Sequence, residues 1–133
     1  MSAAQNHLIE LLPHRDRVQF LPLPEDVPFV LGDVLCEAGQ PARHVWFPVD
    51  GFISLVAPID GKPALEVGMV GREGMLGAQV ILGVATVRLQ ALVQGSGSAW
   101  RIGRAAFRAE LARSVPLRRV LDRSRRYLYY IVG

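Results

Sequence analysis

Residues 70–90 read VGREGMLGAQVILGVATVRLQ. Gly71, Gly74 and Gly77 crowd together beside Arg72 and Glu73, and Arg88 follows at a strand-like run. Glycines let backbone N–H groups come close to a ligand, and an arginine adds a charge-assisted pair to an anion. Gly71, Arg72, Glu73, Gly74 and Met75, with Arg88, are therefore the candidate ligand-binding set, suited to a small anionic effector. The competing reading is a tight turn joining two strands, with Arg72 solvated.

The remaining reactive side chains are scattered. His7, His14 and His44 stand on different elements, whereas a metal enzyme on a β roll needs clustered histidines and a carboxylate. No metal ligand set is expected. Cys36 is the only cysteine, so one chain can build neither a disulfide nor a cysteine-based zinc or iron–sulfur site. With Glu37 beside it and no histidine close in sequence, Cys36 reads as a half-buried strand residue. Ser54 lies in an apolar strand and reads as satisfying backbone or facing solvent. Glu66 and Glu73 lack any spacing that supports general acid–base work. No catalytic residue emerges, and the chain does not read as an enzyme.

At 133 residues, half hydrophobic and a fifth charged, the chain suits one folded domain with a real core. No apolar run approaches the roughly 18–20 residues of a membrane span. The first residues, MSAAQNHLIELLPHRDR, lack the long apolar stretch of a signal peptide. A cytoplasmic location and no membrane partner are expected. The net charge of +3 hides an asymmetry: residues 1–100 hold 6 basic and 10 acidic side chains, residues 101–133 hold 9 and 2. A basic tail suits nucleic acid, an acidic partner surface or a solvated helix face.

These residues must be positioned by the elements around them. Asn6 can cap a short helix that Pro13 stops, and a second helical piece covers His14 to Leu21. Pro22, Pro24 and Pro28 make a broken, extended lead-in. Strands follow at Phe29–Leu31, Val34–Glu37, His44–Val49, Phe52–Ala57, Pro63–Val70, Val87–Gln94 and Ala99–Ile102, with turns about every ten residues. Asp60-Gly61 has hairpin chemistry, and Gly95 to Ser98 reads as a turn. That rhythm marks an all-β sandwich or barrel. Gly74 to Leu82 lacks alternation and suits one or two helical turns. In Val87–Gln94 the residues Val87, Leu89, Ala91 and Val93 form one apolar face, which sends Arg88 to the other. Arg104 to Arg113 is helical, and Ser114 caps a last helix with Pro116 in its first turn. Along it Leu117, Leu121, Leu128 and Ile131 follow a 4-3-4-3 spacing through Ser124. Two readings of that stripe stand: a dimer seam of coiled-coil type, or a face packed on the chain's own barrel.

The order of landmarks resembles the sensor domain of the Crp–Fnr superfamily, the cyclic-nucleotide-binding fold. The residues that carry it are Gly32-Asp33-Val34-Leu35, Gly39, Val45-Trp46-Phe47, Gly51-Phe52-Ile53-Ser54, Gly71-Arg72-Glu73-Gly74 and Ala99 to Phe107. The resemblance implies a mainly β fold with flanking helices, a jelly roll ending in a long C-terminal helix. It implies an N-terminal helical segment over 1–28, the roll over 29–103 and helices with a dimerisation element over 104–133. It also implies a phosphate-binding cassette at 71–75, in which a glutamate takes the ribose hydroxyl and an arginine the phosphate. Here the pattern departs. Arg72 splits Gly71 from Glu73, and Gly83 stands ten residues on, where an arginine is usual. The expected effector is thus a cyclic nucleotide held unusually, another small anion, or none. The expected partner is a second copy in a homodimer. DNA would be reached only through a C-terminal domain absent from these residues. A stand-alone protein-interaction module of the same fold is the alternative, and a cupin-like metal enzyme a weaker one.

Overall fold

The Asp60-Gly61 signal closes a hairpin between β3 (His44–Ile59) and β4 (Lys62–Val70), with Ile59 opposite Lys62. The structure is a computed structural model that describes residues 6–77 and 89–132, with side chains left out at 63–64 and 124–132. Among the described residues the other strands are β1 (Glu25–Phe29), β2 (Val34–Cys36) and β5 (Gln90–Gly103). All pair antiparallel in the order β1-β5-β3-β4, and β2 also pairs with β5. Among the same residues four helices flank them: α1 (His7–Glu10), α2 (His14–Phe20), α3 (Arg104–Arg113) and α4 (Val115–Val132). The chain is thus mainly β with flanking helices and a long final helix, as the sequence implies.

Three boundaries differ from the sequence reading, each for a physical reason. The strand expected at Phe29–Leu31 starts earlier, at Glu25, and Val30 and Leu31 stand exposed beyond it. It tolerates Pro28 because β1 lies at a sheet edge, where a missing N–H costs no ladder bond on the open side. The two strands expected at His44–Val49 and Phe52–Ala57 are one, with pairing irregularities between Pro48 and Ile53. The turn expected at Gly95–Ser98 lies inside β5 instead.

The last two differences are one feature. A Cβ added to Gly97 would sit 2.3 Å from the Asp50 backbone, and one on Gly95 would sit 2.5 Å from the Phe52 ring. The glycines in β5 let it cross against the kink of β3, where Gly51 has φ 80°. The kink also changes which residues face inward. Trp46 is buried in the roll interior before it, and Ile53 and Leu55 after it. Even positions give way to odd ones, as an inserted residue requires in a structure of period two. On β5 the odd positions Ala91, Val93 and Ala99 stay inside throughout.

Two cores result, one on each face of the sheet. The roll interior holds Phe29, Trp46, Ile53, Leu55, Val70, Leu76, Ala91, Val93 and Ala99. The opposite face, through Val45, Phe47 and Ile102, packs against the helices. Phe20 of α2 meets Phe47 edge-on at 5.7 Å between ring centroids, and Phe107 of α3 meets it at 6.2 Å. α4 adds Leu117, Val120 and Leu121 to this second core. Burial of each such side chain contributes about 1.5–3 kcal/mol. Ser114 accepts from the Leu117 N–H at 3.2 Å and starts α4 as its sequence predicts.

Candidate functional site

Gly71 to Gly77 form a turn followed by extended backbone. The Gly74 N–H donates to the Gly71 carbonyl at 3.1 Å. The turn is spoken for by α1. His7 donates its backbone N–H to the Arg72 carbonyl at 2.8 Å. Asn6, fully buried, caps α1 by accepting from Leu8 and Ile9, and its Nδ2 donates to the Pro48 carbonyl at 2.8 Å and the Gly74 carbonyl at 2.9 Å. One side chain therefore ties the first helix, the β3 strand and the glycine turn together.

The predicted binding residues separate in this geometry. Arg72 and Glu73 are exposed. The Glu73 carboxylate lies back over Gly71, 3.1 Å from where a Cβ would stand. Met75, expected as a ligand contact, is instead 1% exposed and belongs to the helix-side core. Its thioether fills space between the turn and the helices, the adaptable packing that methionine suits. Of the helical turns expected over Gly74 to Leu82, the part at Gly74 to Gly77 is a bend and an extended bridge to β3 instead, because Leu76 pairs its backbone with Trp46. The rest of that stretch and Arg88 lie at 78–88, outside the described residues. On α4, Leu117 and Leu121 were read as the start of a seam. They are 3% and 1% exposed within the single chain, because their face of the helix closes the core beneath Phe107 and Ile9. Of the two readings of that stripe, packing on the chain's own fold holds for these two residues. The side chains of Leu128 and Ile131 lie outside the description.

Beyond the turn, Leu76 trades backbone hydrogen bonds with Trp46, each 2.9 Å. Gly77 follows with φ 116°, and a Cβ there would meet the His44 carbonyl at 3.2 Å, so the chain passes close over β3. This bridge backs a pocket of about 410 Å³. Its apolar wall includes Val34, Leu35, Pro41, Ala42, Trp46 and Leu76. Its polar groups are Cys36, Glu37, Gln40, Arg43, His44 and Arg101.

The polar groups are organised around Trp46. The Arg101 guanidinium lies over the indole, its Cζ 5.4 Å from the ring centroid, a cation–π arrangement. Arg101 also pairs with Glu25 on neighbouring β1, Nε donating to Oε1 at 2.9 Å. The His44 ring meets the same indole edge-on at 5.8 Å. Burial pushes the His44 imidazole below its ordinary value, and Arg101 and Arg43 push the same way against an opposing pull from Glu25. The imidazole is neutral at pH 7 and can offer one donor and one acceptor. Burial, then the adjacent Glu37 charge, pushes the Cys36 thiol up. It stays protonated and is a poor nucleophile. Glu37 accepts from Gln90 Nε2 at 2.9 Å. Ser54, expected on backbone or solvent, is 2% exposed and donates to Glu66 Oε2 at 2.7 Å.

No described cluster of His, Cys, Asp or Glu could hold a metal ion. No described helix is long and apolar enough to cross a membrane. The sequence reading passed over Arg43 and Arg101, and took His44 only as an isolated histidine. One signal was available: Arg101 shares the inward parity of Ala91, Val93 and Ala99, and a charge at a core parity needs a partner or a cavity.

Comparison with known proteins agrees with this architecture. The family described as cyclic nucleotide-binding domain matches residues 27–114. No curated protein sequence matches the chain. Among solved structures, the regulatory subunit of a cAMP-independent protein kinase A from Trypanosoma brucei, a mutant bound to cAMP in the A site, superposes with a TM-score of 0.77 at 18% identity, over 95% of this chain and 46% of that one. The N-terminal domain of a transcriptional regulator from Streptomyces coelicolor A3(2) gives 0.72 at 16% identity, over 94% and 90%. The sensor domain of the transcriptional regulator DNR from Pseudomonas aeruginosa gives 0.69 at 18% identity, over 86% and 77%. The chain thus spans less than half the length of the kinase subunit. At these identities the likeness is one of fold.

Proposed function

The chain belongs to the cyclic nucleotide-binding domain family, and we propose that it is the sensor domain of a Crp–Fnr-type transcription regulator. In this reading it is a cytoplasmic, non-catalytic module that binds a small anionic effector. The cassette at Gly71–Met75 is degenerate and does not take cyclic AMP in the usual way. The regulator works as a homodimer, with the contact along α4 beyond its core-buried first turns, where Leu128 and Ile131 stand. DNA is contacted only by a C-terminal domain outside these residues.

One observation carries the reading. Met75, which ends the glycine turn, lies in the same core cluster as Leu117, Val120 and Leu121 of α4. Leu76 and Gly77, the next two residues, line the pocket. An occupant that shifts this short segment changes the surface on which α4 rests. That gives a ligand different affinity for two helix arrangements, which is what coupling requires. The regulator domains from Streptomyces coelicolor and Pseudomonas aeruginosa support it, since the likeness covers most of those chains.

Calorimetry and thermal shift with cyclic AMP, cyclic GMP and cyclic di-GMP, paired with hydrogen exchange across α4, test it. A ligand that binds and alters exchange at 115–123 supports the sensor. Binding of any effector with α4 exchange unchanged defeats it, and silence with every small molecule leaves a protein-interaction module.

A further inference from the structure

We propose that the pocket between Trp46, Arg101 and Arg43 takes a small planar aromatic carboxylate. The inference rests on the sensor reading and names the chemical class of its effector.

The volume, about 410 Å³, falls in the range of small-molecule sites, which are mostly apolar with a few placed polar groups. Val34, Leu35 and Leu76 supply the apolar surface, and the Trp46 indole supplies a flat one. A ring fits that surface better than a flexible chain does, because it gives up little rotamer freedom on binding. The charge at the Trp46 end is positive. Arg101 spends Nε and Nη2 on Glu25, and among the described residues nothing accepts from its Nη1. Among the same residues no side chain pairs with Arg43. A planar carboxylate matches a guanidinium edge in shape as well as in charge. His44, neutral beside them, adds a directional donor. Glu37 is held by Gln90 and disfavours a second negative charge on the ligand. A monoanion with one ring suits this set better than a dianionic phosphate does.

The probes are phenylacetate, its neutral amide, acetate and cyclic AMP, each titrated into the full chain by calorimetry. Fluorescence of a Trp100→Phe variant then reports Trp46 alone. The expected result is phenylacetate binding with a change in Trp46 emission, and at least about tenfold weaker binding of the amide and of acetate. Arg43→Gln is expected to weaken phenylacetate about tenfold with the melting temperature unchanged, since that side chain is exposed. Arg101→Lys, which keeps the charge and loses the fork, is expected to weaken it as well. Amide and carboxylate binding equally, an unaltered Trp46 signal, or no effect of Arg43→Gln overturns the proposal, as does failure of phenylacetate to bind. Cyclic AMP binding alone, with α4 exchange altered, overturns the ligand class and leaves the sensor reading standing. Phenylacetate binding with α4 exchange unaltered does the reverse.

Discussion

Truncation of Leu121 separates a helix docked on its own domain from a helix held by a twin. Leu121 is 1% exposed within one chain and shares its core with Phe107, Ile9 and Met75. Leu121→Ala removes three carbons, worth about 2.4 kcal/mol at ~0.8 kcal/mol each. The cavity left behind adds to this, since the surrounding side chains relax only in part, and brings the expected loss to about 3–4 kcal/mol. With a urea slope of ~1.5–2 kcal/mol per molar, the midpoint falls by about 2 M. Urea unfolding followed by circular dichroism at two protein concentrations a hundredfold apart is the assay. The loss should be the same at both, because the contacts broken are intramolecular. A loss below about 1 kcal/mol would show that Leu121 is not a core residue. A loss present only at high concentration would return it to the dimer seam, since only association makes stability depend on protomer concentration.

Two further outcomes follow from particular contacts. Gly97→Ala places a Cβ 2.3 Å from the Asp50 backbone, and should cost about 1–3 kcal/mol as the strands part, where Gly103→Ala, with open space around it, should cost less than ~1 kcal/mol in the same melts. His44 has its folded pKa lowered from 6.5, so the folded state binds fewer protons than the unfolded one as pH falls past that value. Its contribution is fully present above the unfolded pKa and declines through the folded one. The stability difference between the chain and a His44→Gln variant should be level above pH 7 and shift against the native histidine as the pH drops below about 6.5, and a difference flat across that window would refute the assigned surroundings.

Local chemistry made the ends of the helices legible. Asn6, Pro13 and Ser114 acted where the sequence placed them, because capping and proline geometry depend on a few neighbouring residues. Asp60-Gly61 worked for the same reason. Gly95 to Ser98 misled because glycine signals both a turn and a close backbone crossing, and only the partner strand distinguishes them. The site was less legible. A run with Gly, Arg and Glu reads as a cradle from its composition, but nothing local shows that its Arg72 and Gly74 carbonyls accept from His7 and Asn6, sixty-odd residues away in sequence. The pocket gathers residues from β2, the loop before β3, β3, the end of the glycine turn and β5, and no spacing rule joins them. The start of the 4-3-4-3 stripe on α4, Leu117 and Leu121, is buried as its apolar spacing implies. Periodicity says that a face is covered, and only packing says by what.

The account turns on a core shared by the glycine turn and the last helix, and a double-mutant cycle between Met75→Ala and Leu121→Ala measures it directly. Urea unfolding of the parent, both single variants and the double variant should give a coupling of at least about 0.5 kcal/mol, because the two side chains support one packed cluster. Additivity within ~0.3 kcal/mol would mean that the turn and α4 are independent, and that no effector at the pocket is relayed to the helix by this route.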